Sequence, residues 1–267
     1  MGKIKTTLII STYNRPDALA VCLDSVRRQT LLPDEVVIGD DGSGPETRET
    51  IETISKDFPV PIKHVWHEDD GFRLAQMRNK SIAASSGEYI VEIDGDVFLH
   101  PRFMEDHMRL AKKGYYAKGG RVNLDKQLSD EICSARASRR IYPWTKGIEN
   151  KRENGFRFKA LSLYLAPRYR KHASPALGCN MSFWKEDFIK VNGYDEGYVG
   201  WGCEDHDFAR RLQRSGIKKR YLKFAGIVYH LWHEDKYNYN VENNRRRERE
   251  QNEKQAVRCE VGVDQYI

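Results

Sequence analysis

The stretch "EYIVEIDGDVFLHP" (Glu88–Pro101) places a run of apolar residues directly before two aspartates. The apolar run is typical of a buried strand, and Asp94 and Asp96 follow at its end. Residues at alternate positions of an extended strand point to the same side, so the two carboxylates are expected to face the same way. Such a pair repels unless a cation, a proton or solvent intervenes. The stretch therefore predicts a buried strand that ends in a charged site.

Strand and helix signals alternate from the N-terminus up to this stretch. Earlier strands are predicted at Thr6–Ser11, Glu35–Asp40 and Ile62–His67. Each is followed by an amphipathic helical segment, in order "NRPDALAVCLDSVRRQ", "GPETRETIETISKDF" and "RLAQMRNKSIAAS". Strand–helix alternation with short connections predicts an α/β fold with a Rossmann-like, mostly parallel central sheet covered by helices. Ligands of such sheets bind beyond the carboxyl ends of the strands, where "STYNR", "DDGSG" and "DGDVF" place polar groups.

The later part of the chain carries two further clusters of acidic or imidazole side chains. The run Glu204-Asp205-His206-Asp207 follows the glycine-rich "GYVGWG" and starts a helix predicted to end near Arg214. The pair His230 and His233 lies in "VYHLWHED", on a single predicted late strand. The segment from 125 to 173 is basic and aromatic without a clear period, and it is predicted to form irregular structure, short helices or a flap. The tail, 236–267, is predicted to be a solvated charged helix or disordered.

Composition narrows the possible classes of protein. The chain has 267 residues, a formal net charge of +6 and no run of eighteen apolar residues, which excludes a transmembrane helix of ordinary length. Its five cysteines are an odd number without a CxxC pair, which favours free thiols and a cytoplasmic protein. The basic excess between Arg136 and Lys171 suits an anionic lipid, a nucleic acid or a phosphorylated substrate.

Common nucleotide and ester-cleaving motifs are missing. The segment "GSGPET" has Thr47 where a dinucleotide fingerprint needs its third glycine, and neither a Walker lysine motif nor a GxSxG elbow is present. Carboxylates with a histidine suit Mn²⁺ or Mg²⁺, which keep positions open for phosphate oxygens. Asp94, Asp96 and a histidine are therefore expected to hold a divalent ion, which leaves the second acidic cluster free to act as a base.

Seven stretches resemble the family-two inverting glycosyltransferases with the GT-A fold. They are "IISTYNRP", "IGDDGSG", "DDGFRLAQMRNKSI", "EYIVEIDGDV", "GCNMSF", "GYVGWGCEDHDFARRL" and "VYHLWH". The last three resemble the segment that those enzymes share with β-1,4-galactosyltransferases and chondroitin-type polymerases. The resemblance covers most of the chain and leaves out the basic middle and the tail. It implies a UDP-sugar donor, a divalent metal ion, inversion at the anomeric carbon and a saccharide or lipid-linked saccharide acceptor.

Carried over by position, the resemblance also assigns individual residues. Those expected to bind the nucleotide are Ser11, Tyr13, Arg15, Asp41, Arg78 and Asp94. Those expected at the metal are Asp96, His230, His233 and Asp94, the two aspartates forming the DxD motif. Asp205 matches the general base and Glu204 a catalytic residue that orients the acceptor, while the expected acceptor contacts are Trp201, Gly202 and Asn180. Family analogy favours galactose or an N-acetylhexosamine as the transferred sugar.

Two positions depart from the related pattern. Cys203 stands where the galactosyltransferase pattern has a second glycine before the acidic pair. In addition, two histidines, His230 and His233, are candidates for one metal position, and His230 is favoured. The predicted organisation is a nucleotide-sugar half at 1–124, the basic segment at 125–173, an acceptor and catalytic-base half at 174–235, and the tail.

Other interpretations stay open on the sequence. Asp94 and Asp96 also suit a turn with a helix cap, Asp205 a carboxylate favoured by a helix dipole, and Trp201 a core position. The rival functions are a metal-dependent phosphoesterase of nucleotide sugars and a module that binds nucleic acid or anionic lipid. With the family resemblance, no nucleic acid partner is expected. The basic segment suits a solvated face and equally a contact with the inner face of the membrane or with an anionic acceptor.

Overall fold

Two β-sheets form the framework of the protein in a computed structural model that describes residues 4–168, 176–234 and 239–267. The strands are β1 (Thr6–Thr12), β2 (Glu35–Asp40), β3 (Ile62–Trp66), β4 (Tyr89–Asp94), β5 (Val97–Leu99), β6 (Tyr115–Lys118), β7 (Arg121–Leu124), β8 (Ile148–Asn150), β9 (Met181–Trp184), β10 (Lys218–Tyr221) and β11 (Val228–His230). The helices are α1 (Pro16–Arg27), α2 (Pro45–Ser55), α3 (Leu74–Ala84), α4 (Phe103–Leu110), α5 (Lys126–Ala135), α6 (Lys159–Leu165), α7 (Lys185–Lys190), α8 (Glu204–Arg214) and α9 (Val241–Glu253).

The larger sheet has the strand order β10-β6-β9-β4-β1-β2-β3. β1 runs parallel to both β2 and β4, β2 runs parallel to β3, and β9 is inserted antiparallel between β4 and β6. Alternate residues of β1 supply the two faces: Leu8 and Ile10 pack into one apolar core, and Ile9 packs into the other. The prediction of a mostly parallel sheet covered by helices is confirmed.

The smaller sheet was not anticipated from the sequence. Its order is β5-β11-β7-β8, with β11 antiparallel to β5 and parallel to β7. The single late strand predicted for this region is wrong: β10 joins the larger sheet and β11 joins the smaller one. The chain between them turns through Phe224 and Gly226, both with positive φ, which an extended strand cannot contain. The smaller sheet therefore joins strands from three of the predicted segments.

The basic middle forms short regular elements, and short helices were one of the alternatives predicted for it. The Asp125 side chain caps α5 by accepting a hydrogen bond from the Leu128 backbone N–H at 2.9 Å. β8, a 3₁₀ turn at Arg152–Gly155 and α6 follow, and residues 169–173 of this segment lie outside the described residues. Of the two readings of the tail, the helical one is observed, since α9 forms and Arg247 binds Asp195 at 2.8 Å.

Bilayer-spanning segments were sought among all the helices described. None of them combines the length and the apolar character that crossing a membrane requires.

Candidate active site

The two aspartates of the opening stretch lie on either side of a tight turn. β4 ends at Asp94, and Gly95 and Asp96 form the turn into β5. The Gly95 N–H donates to the Ser11 carbonyl at 2.7 Å, and a Cβ on Gly95 would stand only 3.1 Å from that oxygen. The expectation that both carboxylates point the same way along a strand is therefore wrong, because Asp96 has left the strand. Their side chains reach different partners.

Asp96 meets His230, the last residue of β11, and His233, which lies beyond the end of that strand. The antiparallel pairing of β5 with β11 sets His230 opposite Val97, and the Leu231 N–H donates to the Asp96 carbonyl at 2.9 Å. His233 Nε2 lies 3.2 Å from Asp96 Oδ2, and His230 Nε2 lies 3.7 Å from Oδ1. The structure thus gathers both candidate histidines at one carboxylate.

This trio has the properties of a metal site. One ligand atom from each of Asp96, His230 and His233 falls within 4.8 Å of the others, and Asp96 Oδ1 is buried without a hydrogen bond to any described residue. Burial lowers the pKa of His230, which favours the neutral imidazole that a metal binds. A mixed oxygen and nitrogen set suits Mn²⁺ better than Mg²⁺, which prefers oxygen ligands throughout. The residues present therefore fit a divalent ion.

Asp94 is turned away from that trio toward a buried guanidinium. Arg78, from α3, is 1% exposed. Its Nη2 lies 3.0 Å from Asp94, its Nη1 3.2 Å from Glu204, and its Nε 3.2 Å from Glu92. A single arginine thus links the DxD turn to the start of α8. Asp94 is not part of the histidine cluster, and the predicted nucleotide contact of Arg78 stays a prediction.

The glutamates around Arg78 hold their protons more tightly than usual. Burial raises the pKa of Glu92 to about 7, against the lowering effect of Arg78. Burial, followed by the neighbouring charge of Asp205, raises the pKa of Glu204 to about 7. Tyr194 adds a hydrogen bond from its hydroxyl to Glu92 at 2.7 Å. One cation therefore compensates a group of carboxylates that titrates near neutrality.

The acidic pair at the start of α8 divides between two surroundings. Glu204 is 9% exposed and bound to Arg78, whereas Asp205 is partly exposed and accepts a hydrogen bond from the Gly178 N–H at 2.9 Å. A helix N-terminus also favours both negative charges. Cys203, just before them, has φ of +76°, a conformation that glycine adopts without strain. That geometry explains why glycine suits this position in the related pattern.

The residues expected to bind the nucleotide lie along the ends of β1 and β2. Ser11 Oγ is buried and has no hydrogen-bond partner among the described residues, and the Tyr13 hydroxyl donates to Asp69 at 2.9 Å. Asp41 accepts from His67 Nε2 at 2.8 Å and from the Arg73 N–H at 2.9 Å. Burial raises the pKa of Asp41 even against those hydrogen bonds. The ends of β1 and β2 thus contribute polar, partly buried side chains to the site.

The predicted acceptor contacts divide into exposed and buried positions. Trp201 is 51% exposed, which rules out a core position, and Gly202 has φ of +98° with open space where a Cβ would be. Asn180 is fully buried, and its side chain bonds to the carbonyls of Gly120 and Gly226 and to His107. The amide groups of Asn180 are thus engaged inside the protein, and the acceptor contact predicted for this residue stays a prediction.

Two basic side chains of the site were missed in the sequence. Lys118 ends β6 and Arg121 starts β7, on either side of a glycine pair. Burial lowers the pKa of Lys118 to about 8, and the charge of Asp205 opposes that shift. Arg121 Nε is buried without a hydrogen bond to any described residue. Burial acts to lower the pKa of Arg121, but Cys179, and after it Asp94 and Asp96, outweigh burial and raise it. The sequence pattern that could have indicated these two residues is a lysine and an arginine on either side of two glycines.

Two histidines and two arginines, Arg15 and Arg121, favour the charged form of the Asp96 carboxylate. Burial acts to raise the pKa of Asp96, but His230, His233 and the two arginines outweigh it and lower the pKa below its usual value. Arg15 precedes α1, and its Nη1 is likewise buried without a partner among the described residues. Two incompletely bonded guanidiniums beside the DxD turn form a ready site for anionic oxygens.

Comparison with known proteins supports a common architecture. Residues 7–162 match the model of Glycosyl transferase family 2, and residues 160–234 match a model described as the N-terminal domain of galactosyltransferase. Chondroitin synthase of Escherichia coli is 28% identical over 244 residues, covering 84% of this chain and 34% of its own. Validoxylamine A glucosyltransferase of Streptomyces hygroscopicus subsp. limoneus is 31% identical over 230 residues, covering 79% of this chain and 48% of its own.

Solved structures share the fold at low sequence identity. The mannosyltransferase PcManGT of Pyrobaculum calidifontis, in complex with GDP-Man and Mn²⁺, superposes with a TM-score of 0.62 at 17% identity, covering 89% of this chain and 59% of that one. GalNAc-T7 with UDP, GalNAc and Mn²⁺ gives 0.62 at 16% identity, covering 87% and 44%. The chain spans between a third and a half of the two curated relatives above. The chain belongs to Glycosyl transferase family 2 and has the GT-A fold.

Proposed function

We propose that this protein transfers a hexosyl group from a UDP-sugar to a saccharide hydroxyl, with inversion and with the help of a divalent ion. The observation that carries the proposal is the link from the histidine-flanked Asp96, through Asp94 and Arg78, to the acidic start of α8. It sets a cation site suited to a diphosphate beside a pair of carboxylates suited to proton transfer. Manganese in two solved neighbours supports the choice of ion.

The role of base falls to Asp205 rather than to Glu204. Glu204 is buried and held by Arg78, whereas Asp205 is the more exposed member of the pair. Asp205 accepts the proton of the acceptor hydroxyl, and the oxygen of that hydroxyl bonds to the anomeric carbon. The bond from that carbon to the diphosphate oxygen breaks, and UDP leaves with the electron pair. A divalent ion at Asp96, His230 and His233 would offset the charge of the leaving diphosphate.

The donor sugar, the biosynthetic role and the cellular compartment are proposed from the comparisons and from the free cysteines. The match of residues 160–234 to a galactosyltransferase model, and a neighbour with UDP and GalNAc, support galactose or an N-acetylhexosamine. Relatives that include a chondroitin synthase support a role in polysaccharide or glycolipid synthesis. All five cysteines are free thiols, which supports work in the cytoplasm. A panel of UDP-sugars assayed for Mn²⁺-dependent turnover tests the donor.

Two substitutions test the division of roles. Asp205→Asn should lower turnover by ~100-fold to ~10,000-fold while UDP binding is kept, because it removes only the general base. Asp96→Ala should instead lose the Mn²⁺-dependent part of UDP affinity, measured by calorimetry with and without the ion. Asp130→Asn, an exposed carboxylate on α5, is the control and should change neither quantity.

Equal loss of UDP affinity in both site variants would contradict this assignment. Product analysis adds a second check on the reaction itself. Release of free sugar at the same rate with and without acceptor would show a phosphoesterase instead of a transferase.

A further inference from the structure

Exposed apolar side chains are concentrated in one short part of the chain. Of the fourteen large apolar side chains that the described residues expose, seven lie between Tyr142 and Tyr164. We call these seven the aromatic surface: Tyr142, Trp144, Phe156, Phe158, Leu161, Leu163 and Tyr164. Trp144 is the most exposed of them, at 73%. Contiguous exposed apolar area of this kind marks an interaction site.

The aromatic surface is held together by specific contacts. Tyr142 stacks on Trp144 with ring centroids 5.3 Å apart, and Phe156 stacks beside Phe158 at 6.1 Å. The Arg152 guanidinium holds the loop of Tyr142 and Trp144 by donating hydrogen bonds to backbone carbonyls, those of Pro143, Thr145 and Ile148. A Cβ on Gly155 would lie 3.6 Å from Pro143, so the loops that carry the two aromatic pairs lie side by side.

Helix α6 continues the aromatic surface. Leu161, Leu163 and Tyr164 are all exposed, and Ser162 is the one buried residue of this helix. The helix therefore buries a serine while two of its three leucines, Leu161 and Leu163, face outward. The helix follows directly from Phe158, so the loops and the helix form one continuous stretch.

Positive charge surrounds the same stretch. Residues 136–168 contain nine Lys or Arg and two Glu, against 36 Lys or Arg and 37 Asp or Glu in the rest of the chain. The entire positive excess of the protein therefore lies here. Arg140, Lys146 and Lys159 are exposed and pair with no carboxylate in the part of the chain that the structure describes. The occupant of this surface must be anionic as well as apolar.

The geometry points to an anionic lipid bilayer, and we propose that the aromatic surface docks on one. Tryptophan and tyrosine settle at the headgroup level, leucine and phenylalanine enter the acyl boundary, and lysine and arginine meet anionic headgroups. A soluble polysaccharide would use the aromatic rings and the cations but would gain nothing from exposed leucines. The composition therefore favours a membrane over a soluble polyanion.

The proposal places the active site next to the membrane. β8 pairs with β7, and the Asn154 side chain donates to the carbonyl of Arg121, the residue that faces the DxD turn. Docking would hold this site close to the headgroups, where a lipid-linked acceptor presents its sugar. The use of a lipid-linked acceptor rests on the proposed glycosyl transfer, whereas the docking itself does not.

Sedimentation with phosphatidylglycerol vesicles tests the docking, with phosphatidylcholine vesicles for comparison. The full chain should bind the anionic vesicles and lose binding as salt rises. A triple variant, Arg140→Gln with Lys146→Gln and Lys159→Gln, should bind about 100-fold more weakly, because each cation near an anionic surface is worth about fivefold. Trp144→Ser with Tyr164→Ser should also weaken binding while leaving its dependence on salt in place.

Matched variants away from the surface control for net charge and for apolar area. Removing three exposed arginines of α9, by Arg245→Gln, Arg246→Gln and Arg249→Gln, should leave vesicle binding nearly unchanged, as should Leu31→Ser with Val257→Ser. Equal losses in the α9 variant, or no binding of the unmodified protein to anionic vesicles, would overturn the proposal.

A third outcome concerns the competing occupant and the proposed function. A soluble uronate oligosaccharide that binds through Trp144 and Tyr164, with vesicles failing to bind, would also overturn the docking. Transfer to a soluble acceptor should be the same in all of these variants. Absence of transfer in the unmodified protein would refute the proposed function and leave the vesicle result standing.

Discussion

Replacing Arg78 by methionine should cost the protein much of its stability, in a way that depends on pH. Methionine keeps the length and fills the space but leaves Glu92, Asp94 and Glu204 without their shared cation. Removing one partner of a buried ion pair typically costs about 3–5 kcal/mol, because the remaining charge stays buried. We expect a loss of that size in the free energy of unfolding at about pH 8.

The sign of the pH dependence follows from the two glutamates. Both have a pKa of about 7 in the folded state, above the ordinary value of 4.5, so the folded state binds more protons between those values. Stability from this source is present at low pH and is lost as pH rises toward 7. Arg78 lowers both pKa values, so its removal raises them further. At about pH 5.5 both glutamates are then neutral, and the loss should shrink to about 1–2 kcal/mol.

Urea unfolding followed by tryptophan fluorescence at both pH values measures this. Arg27→Met is the matched control, because Arg27 pairs with the exposed Asp57 at 2.9 Å and such pairs are worth about 1 kcal/mol or less. A loss for Arg78→Met that is small at both pH values would refute the reasoning. So would a loss that is larger at pH 5.5 than at pH 8.

Three further results are expected. Arg121→Gln should weaken UDP binding by about tenfold when Mn²⁺ is chelated, because a charge-assisted hydrogen bond is worth about 1.5–3 kcal/mol, and unchanged calorimetric affinity would contradict a phosphate contact. His230→Ala and His233→Ala should each weaken Mn²⁺ binding in a titration without nucleotide, whereas loss in only one would remove the other from the site. Cys203→Gly should leave the free energy of unfolding unchanged or raise it by up to about 1 kcal/mol, because relief of the positive-φ strain offsets the entropy that glycine adds to the unfolded chain. Thermal unfolding measures this, and a clear loss of stability would contradict it.

The sequence was most informative where local pattern alone decides structure. The strands that became β1, β2 and β4 were readable because both faces are buried, which gives unbroken apolar runs. The helix from Glu204 to Arg214 was predicted with its observed ends, because its acidic start follows glycines. Placement of polar clusters after parallel strands also predicted correctly which edge of the sheet would carry charge.

The pairing of distant strands could not be predicted from the sequence. The approach of His230 to Asp96 depends on β11 lying beside β5, some 130 positions earlier, and nothing local specifies that neighbour. The same holds for Arg121, which reaches the DxD turn only because β7 joins the smaller sheet. Asn180 matched a family motif, yet its burial depends on three segments that close around it.

Taken by itself, the sequence determined the order of strands and helices, the charged edge, and the residue types available for metal and proton chemistry. Only the tertiary structure decided that Asp94 and Asp96 diverge, that one arginine joins the end of β4 to the start of α8, and that half of the exposed large apolar side chains lie in one part of the chain. The reason is physical: periodicity records whether a residue is buried, whereas contact between remote side chains depends on the packing of all the elements between them.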